Sequence, residues 1–132
     1  MLGSPRVFEE LAVSEGSVFF LDGKPMILRT RAWVLPSLKF EELIQLLPKV
    51  VVDMGAVPHL ANGAQIMRPG IKEVKSNFEK NDLVVIVDEK FGKTLALGVA
   101  DFNSEEMRSL GKGKVITNLH YVGDEFWRSF TQ

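Results

Sequence analysis

The sequence predicts an α+β protein dominated by strands, with a small closed or nearly closed barrel in its C-terminal part. Three observations carry that expectation. Residues 83–88 (LVVIVD) form a compact β-branched run, strand-like segments recur at close spacing, and only brief helical stretches separate them. A doubly wound sheet would need long helices between its strands, which this pattern does not offer.

Taken in order, residues 17–21 (SVFFL) and 26–30 (MILRT) flank Asp22, Gly23, Lys24 and Pro25, and Asp-Gly supplies the positive φ values of a tight hairpin. Phe40, Leu43, Ile44 and Leu47 recur at i, i+3, i+4 and i+7, the signature of a helix with one apolar face. Ser37 is the expected cap of that helix and Pro48 its end. Residues 50–53 read as a short strand, 57–62 as one or two helical turns closed by Gly63, and 65–68 as a strand before a Pro69-Gly70 turn. Asn81-Asp82 introduces the strand at 83–88, and Gly92 turns the chain into a further strand over 94–102. Asn103, with Glu106 three residues on, predicts a capped helix to Leu110, stopped by Gly111 and Gly113 before a last strand at 114–122.

A chain of 132 residues suits one compact domain, or a small subdomain packed on a larger one. With 45% hydrophobic and 25% charged residues it has enough apolar material for a core, so disorder is not the expected state. Sixteen basic against seventeen acidic side chains argue against nonspecific polyanion binding, and any nucleic-acid face must be local. One such window runs from Arg108 to His120, where Arg108, Lys112 and Lys114 meet no carboxylate; another, 61–75, holds Arg68, Lys72 and Lys75 against Glu73. The absence of cysteine excludes disulfides, thiolate zinc sites and cysteine nucleophiles. The longest apolar runs are far too short to span a bilayer, and the expected setting is the cytoplasm, with no membrane partner.

The specific signal lies in residues 50–71 (VVVDMGAVPHLANGAQIMRPGI), then 80–97 (KNDLVVIVDEKFGKTLAL) and Gly98-Val99-Ala100. Asp-x-Gly-Ala, Asn-Gly-Ala, Met-x-Pro-Gly and Gly-x-Ala in that order resemble the PUA domain, an RNA-binding module of pseudouridine synthases and archaeosine transglycosylases. The tail, with residues 112–121 (KGKVITNLHY), Gly123-Asp124 and Phe126-Trp127, is similar to the malignant-T-cell-amplified/density-regulated branch of translation factors, which includes ligatin. That resemblance implies a PUA-type pseudo-β-barrel over 49–132, preceded by a small α/β subdomain over 1–48. It implies no cofactor and no metal. The implied partner is structured RNA, either tRNA or rRNA, in the context of the small ribosomal subunit or a translation factor.

Glycines 55, 63 and 70 allow tight turns and let a phosphate or sugar approach where a Cβ would otherwise stand. Taken singly they read first as turn glycines. With the resemblance, the expected RNA surface is Leu60, Ala61, Asn62, Gly63 and Ala64 together with Arg68, Pro69 and Gly70. Arg68, Lys72, Lys112 and Lys114 are the expected phosphate contacts, and Asn118, His120 and Tyr121 the expected sugar or base contacts. The plain alternatives are a solvated cationic face for the lysines and structural packing for His120 and Tyr121. Asp53 reads as a turn cap rather than a catalytic carboxylate, and Phe19, Phe20, Phe102, Phe126, Phe130 and the two tryptophans read as core.

No enzyme is expected. The chemistry of the PUA-bearing enzymes resides in separate catalytic domains, and His59 and His120, the two imidazoles here, form no metal-ligand cluster in the sequence. The leading expectation is a translation-associated RNA binder. A protein-interaction adaptor with the barrel as scaffold, or an accessory subunit of an RNA-modification complex, are the alternatives.

Overall fold

The computed structural model describes residues 6–130. Met1–Pro5, to which the sequence assigns no element, and the last two residues lie outside that range.

Four strands, β1 (Phe8–Val13), β2 (Gly16–Leu21), β3 (Lys24–Thr30) and β4 (Val34–Pro36), form an antiparallel meander in chain order. The expected hairpin is its centre: Asp22 and Gly23 take φ values of 52° and 80°, as a tight turn of this type requires. The flanking strands β1 and β4 are additions to the sequence reading. A short helix, α1 (Glu41–Ile44), leads to the second sheet.

That sheet contains β5 (Lys49–Val52), β6 (Ile66–Met67), β7 (Ile71–Val74), β8 (Leu83–Asp88), β9 (Thr94–Ala100) and β10 (Lys114–Tyr121), in the order β6-β10-β9-β8-β5-β7. Its two edge strands, β6 and β7, are neighbours in the chain, joined only by the 3-10 turn at 68–70. Opposite edges tethered by three residues must curl toward each other, and the sheet becomes nearly a barrel. The helices α2 (Val57–Leu60), α3 (Ser104–Ser109) and α4 (Glu125–Ser129) fill its connections and end. The chain is mainly β, as the sequence implies.

Alternation along β8 divides the interior into two cores. Val84 and Ile86 point into the barrel with Val50, Val52, Ile116 and Met107. Val85 and Val87 point the other way, to Val18, Leu28, Leu35 and Phe126, so the first sheet and α4 cover the barrel's outer face. A strand buried on both faces is apolar throughout, which is why residues 83–87 carry no alternation.

Two local expectations need correction. The helix predicted over 40–47 is only four residues long, because bonding tightens from Gln45 N–H to Glu41 C=O into Leu46 N–H to Leu43 C=O and Leu47 N–H to Ile44 C=O. Its apolar face is nevertheless used, with Ile44 buried and Leu47 partly so. Ser37 does not cap it. The Ser37 hydroxyl accepts from Lys39 N–H, a local turn, and Phe40 occupies the cap position with no side-chain bond. Asn103, by contrast, caps α3 as expected, accepting from Glu106 N–H at 2.8 Å.

Candidate nucleic-acid interface

Where β5 ends, Asp53 adopts an extended backbone and its Oδ1 accepts from Ala56 N–H at 2.9 Å, capping a 3-10 turn that runs into α2. The Asp53 N–H in turn donates to Gly70 C=O at 2.9 Å, which ties this turn to the one at 68–70. After α2, Gly63 takes φ 83° and Ala64 N–H donates back to His59 C=O, folding the chain onto β6. The two turns enclose an open groove of about 470 Å³ lined by Gly55, Ala56, His59, Ala64, Met67 and Gly70 among others. Its lining is largely apolar, with Gly55, Ala56, Ala64 and Gly70 set among the larger Val52, His59, Ile66 and Met67. At Gly70 an added Cβ would lie 3.4 Å from Ala56 Cβ, so a larger pair there would narrow the groove.

Of the predicted residues, Ala64, Pro69 and Gly70 line the groove, and Ala61, Asn62 and Gly63 form the turn that leads from α2 to Ala64. Asn62 is exposed, with its Nδ2 donating to Pro58 C=O at 3.2 Å. The start of β10 lies alongside: Arg68 N–H donates to Gly113 C=O at 2.8 Å, and Lys114 stands opposite Met67. Directly opposed residues of an antiparallel pair share a face, which puts Lys114 on the side of the exposed Met67. Lys114 also pairs with Asp101 at 3.4 Å across the surface. Lys112 is exposed one residue before Gly113, and Lys72 is exposed on β7 two residues beyond Gly70.

Two predicted contacts, Arg68 and His120, point elsewhere, and a third, Leu60, borders the groove but is buried. Arg68 is half-buried and donates to main-chain carbonyls, from Nε to Met107 at 2.7 Å, from Nη1 to Ile71 at 3.2 Å and from Nη2 to Arg108 at 3.4 Å. Its charge faces the C-terminal end of α3 and stitches that helix to β7, so it is not a free phosphate ligand. Leu60 belongs to the barrel core. His120, at 0% exposure, is sealed between the sheets. Its Nε2 accepts from Leu38 N–H at 3.3 Å, so its proton sits on Nδ1 and is donated to Asp124 Oδ2 at 2.7 Å. Phe126 and Phe130 meet the ring edge-on.

Asn118 and Tyr121 are intermediate cases. Asn118 Nδ2 donates to Ala64 C=O at 3.1 Å and its N–H to Gln65 Oε1 at 2.6 Å, so the residue positions the groove's far wall. Tyr121 is half-buried with its ring against Gly63, where a Cβ would come within 3.0 Å of the phenol oxygen. Gly63 is thus required twice, for its φ and for this contact. The sequence reading did not single out His59, Gln65 or Met67 as groove residues. Met67, 48% exposed and apolar, sits inside the quoted Met-x-Pro-Gly motif, which was the available signal.

A curled six-stranded sheet with a capped turn and a Pro-Gly turn enclosing one open groove defines the class, a small barrel with a binding groove at one end. The PUA domain matches residues 48–122, more than half of the chain, and the chain belongs to the PUA domain family. It is 40% identical over 122 residues to Uncharacterized protein MJ1432 of Methanocaldococcus jannaschii, covering 89% of this chain and 74% of that protein. It is 32% identical over 117 residues to Translation machinery-associated protein 20 of Saccharomyces cerevisiae, covering 83% of this chain. The chain spans 65% of the length of that yeast relative. Among solved structures, a PUA domain of Aeropyrum pernix K1 in a tartrate complex superposes with a TM-score of 0.81 at 26% identity, covering 89% of this chain and 68% of the other. An H/ACA RNP chain, solved bound to a substrate RNA, matches with a TM-score of 0.59 at 30% identity, covering 71% of this chain and 28% of its own.

Proposed function

We propose that this protein binds RNA in the service of translation, without catalysis, and works in the cytoplasm. Its first 48 residues act as a subdomain bracing the barrel that follows. The observation that carries the reading is the open, largely apolar groove between the turns at 54–56 and 68–70, inside the PUA-matched span and with glycine or alanine at four of its lining positions. Unpaired nucleotides suit such a groove, because its glycine and alanine positions allow close approach and its apolar lining gives an unstacked base a surface to lie against. Lys72, Lys112 and Lys114 are the phosphate contacts in this reading. The relative named for the translation machinery and the structural neighbour solved with RNA support both halves of it. The finer reading is a structured RNA, tRNA or rRNA in the small-subunit context, gripped at a stem or its unpaired 3′ end.

The test is binding of the full chain to tRNA across a salt series. Three neutralised phosphates give a log–log slope of roughly −2, using about 0.7 per phosphate for single strands. Ala64→Trp, which fills the groove, should abolish binding while the chain stays folded. Saturable binding that ignores both salt and Ala64→Trp would remove the groove from consideration, and an absence of binding would favour a protein-docking role.

A further inference from the structure

The turn between β8 and β9 carries residues that the groove does not use. Phe91, at its tip, is 68% exposed, an unusual placement for a large aromatic. Lys90 and Lys93 flank it, both exposed, and neither makes a salt bridge among the described residues. Lys90 Nζ lies over the Phe91 ring, 5.2 Å from its centre.

The tip is held firmly. The Asp88 carboxylate accepts from Lys90 N–H at 2.9 Å, from Phe91 N–H and from Lys93 N–H at 3.0 Å, while Gly92 takes φ 65° to close the turn. Both nearby carboxylates face backbone amides, Asp88 within the turn and Glu89 toward Met54 N–H at 2.8 Å. The carboxylates are thereby held back against the backbone, while the Lys90 and Lys93 side chains are exposed.

The tip also stands at the groove's end of the barrel. β5 and β8 are parallel and finish together, Val52 opposite Asp88, and the chain leaves β5 directly into the groove's first turn. Glu89 bonds both the end of β5 and that turn, donating its own N–H to Val52 C=O at 2.9 Å and accepting from Met54 N–H. Met54, in the turn that Glu89 holds, is 38% exposed and apolar.

We infer that the Lys90–Lys93 turn is a second RNA contact, in which Phe91 stacks an unpaired base and the two lysines hold the flanking phosphates of a strand continuing out of the groove. An exposed ring fixed on a bonded turn loses little freedom when a base lies on it, and stacking accepts any base. The inference rests on the RNA-binding reading above and extends the same track past Met54.

The experiment compares fluorescein-labelled RNA hairpins with a short or a long single-stranded 3′ tail, titrated with the full chain and followed by anisotropy. The unaltered protein should bind the long tail more tightly. Phe91→Ala should remove that gain, about tenfold for one lost stack, and leave the short-tail affinity unchanged. Phe91→Trp should preserve it, and Lys90→Glu with Lys93→Glu should erase it. If the long tail gains affinity that Phe91→Ala does not touch, or gains none, the second contact is overturned while the groove stands. If neither RNA binds the unaltered chain, both readings fall.

Discussion

The groove at one end of the barrel and the seam between the two sheets are built from opposite materials. The groove is open to solvent and mixes glycine and alanine with exposed His59, Gln65 and Met67, whereas the seam is closed and filled by Val85, Leu97, Leu28, Leu35 and the His120–Asp124 pair. Both contain polar groups, but those of the seam are bonded to one another. The lesson is that a polar residue near a ligand-binding module is informative only when its bonds are unspent. His120 and Arg68 have the chemistry of RNA contacts, and the fold has already used it.

That contrast can be broken by substitution, and the largest effect is expected in the seam. His120→Leu leaves Leu38 N–H unpaired and takes one partner from a buried carboxylate, and should cost about 3 kcal/mol in urea unfolding. RNA affinity, measured where the variant is folded, should not change; a loss of affinity at native stability would erase the distinction between seam and groove. Arg68→Met removes three bonds to carbonyls and should cost about 2 kcal/mol. Gly98→Ala, whose Cβ would meet Ile116 Cγ2 at 2.5 Å and Thr117 C=O at 2.6 Å, should lower stability by about 1 to 3 kcal/mol through displacement of β10.

Smaller effects are expected at the surface. The Phe91 N–H foremost, then those of Lys93 and Lys90, hold the Asp88 carboxyl below the ordinary carboxylate range. Its contribution to stability is therefore complete above about pH 4 and is lost as pH falls through the lower folded value. Asp88→Asn should flatten the acid limb of a stability profile, which a series of urea titrations against pH would read. Lys112→Glu with Lys114→Glu should move stability by less than about 0.5 kcal/mol yet weaken RNA binding and reduce its salt dependence. The seam and groove then separate cleanly, one in unfolding and the other in binding.

What the sequence disclosed follows the range of the forces involved. The Asp22-Gly23 hairpin, the β-branched β8 and the Asn103 cap are local signals, and each is present. The strand β1 was not legible because its FEELAV sequence holds two glutamates and an alanine, poor strand formers, and it exists by pairing with β2 in full register. The helix α4 is five residues long, too short to show a period, although its Asp124 cap is plain once Trp127 N–H is seen to donate to it at 2.7 Å. For the groove, the turn motifs at 53–56 and 67–70 were visible and their meeting was not, since the Asp53 N–H to Gly70 C=O bond joins segments far apart in sequence. Arg68 misled for the same reason: its three acceptors lie on β7 and α3, and nothing in a window of charges shows them.

The double-sided burial of β8 has a consequence for how the molecule is made. The β1–β4 meander is formed by neighbouring segments and can fold as soon as it leaves the ribosome, but the strands that cover Val18, Leu28 and Leu35 are synthesised later. Until residues 83–99 emerge, a nascent chain carries a formed sheet with one greasy side bare. During that interval Val18, Leu28 and Leu35 have no partner, and the bare apolar face is open to association with other chains.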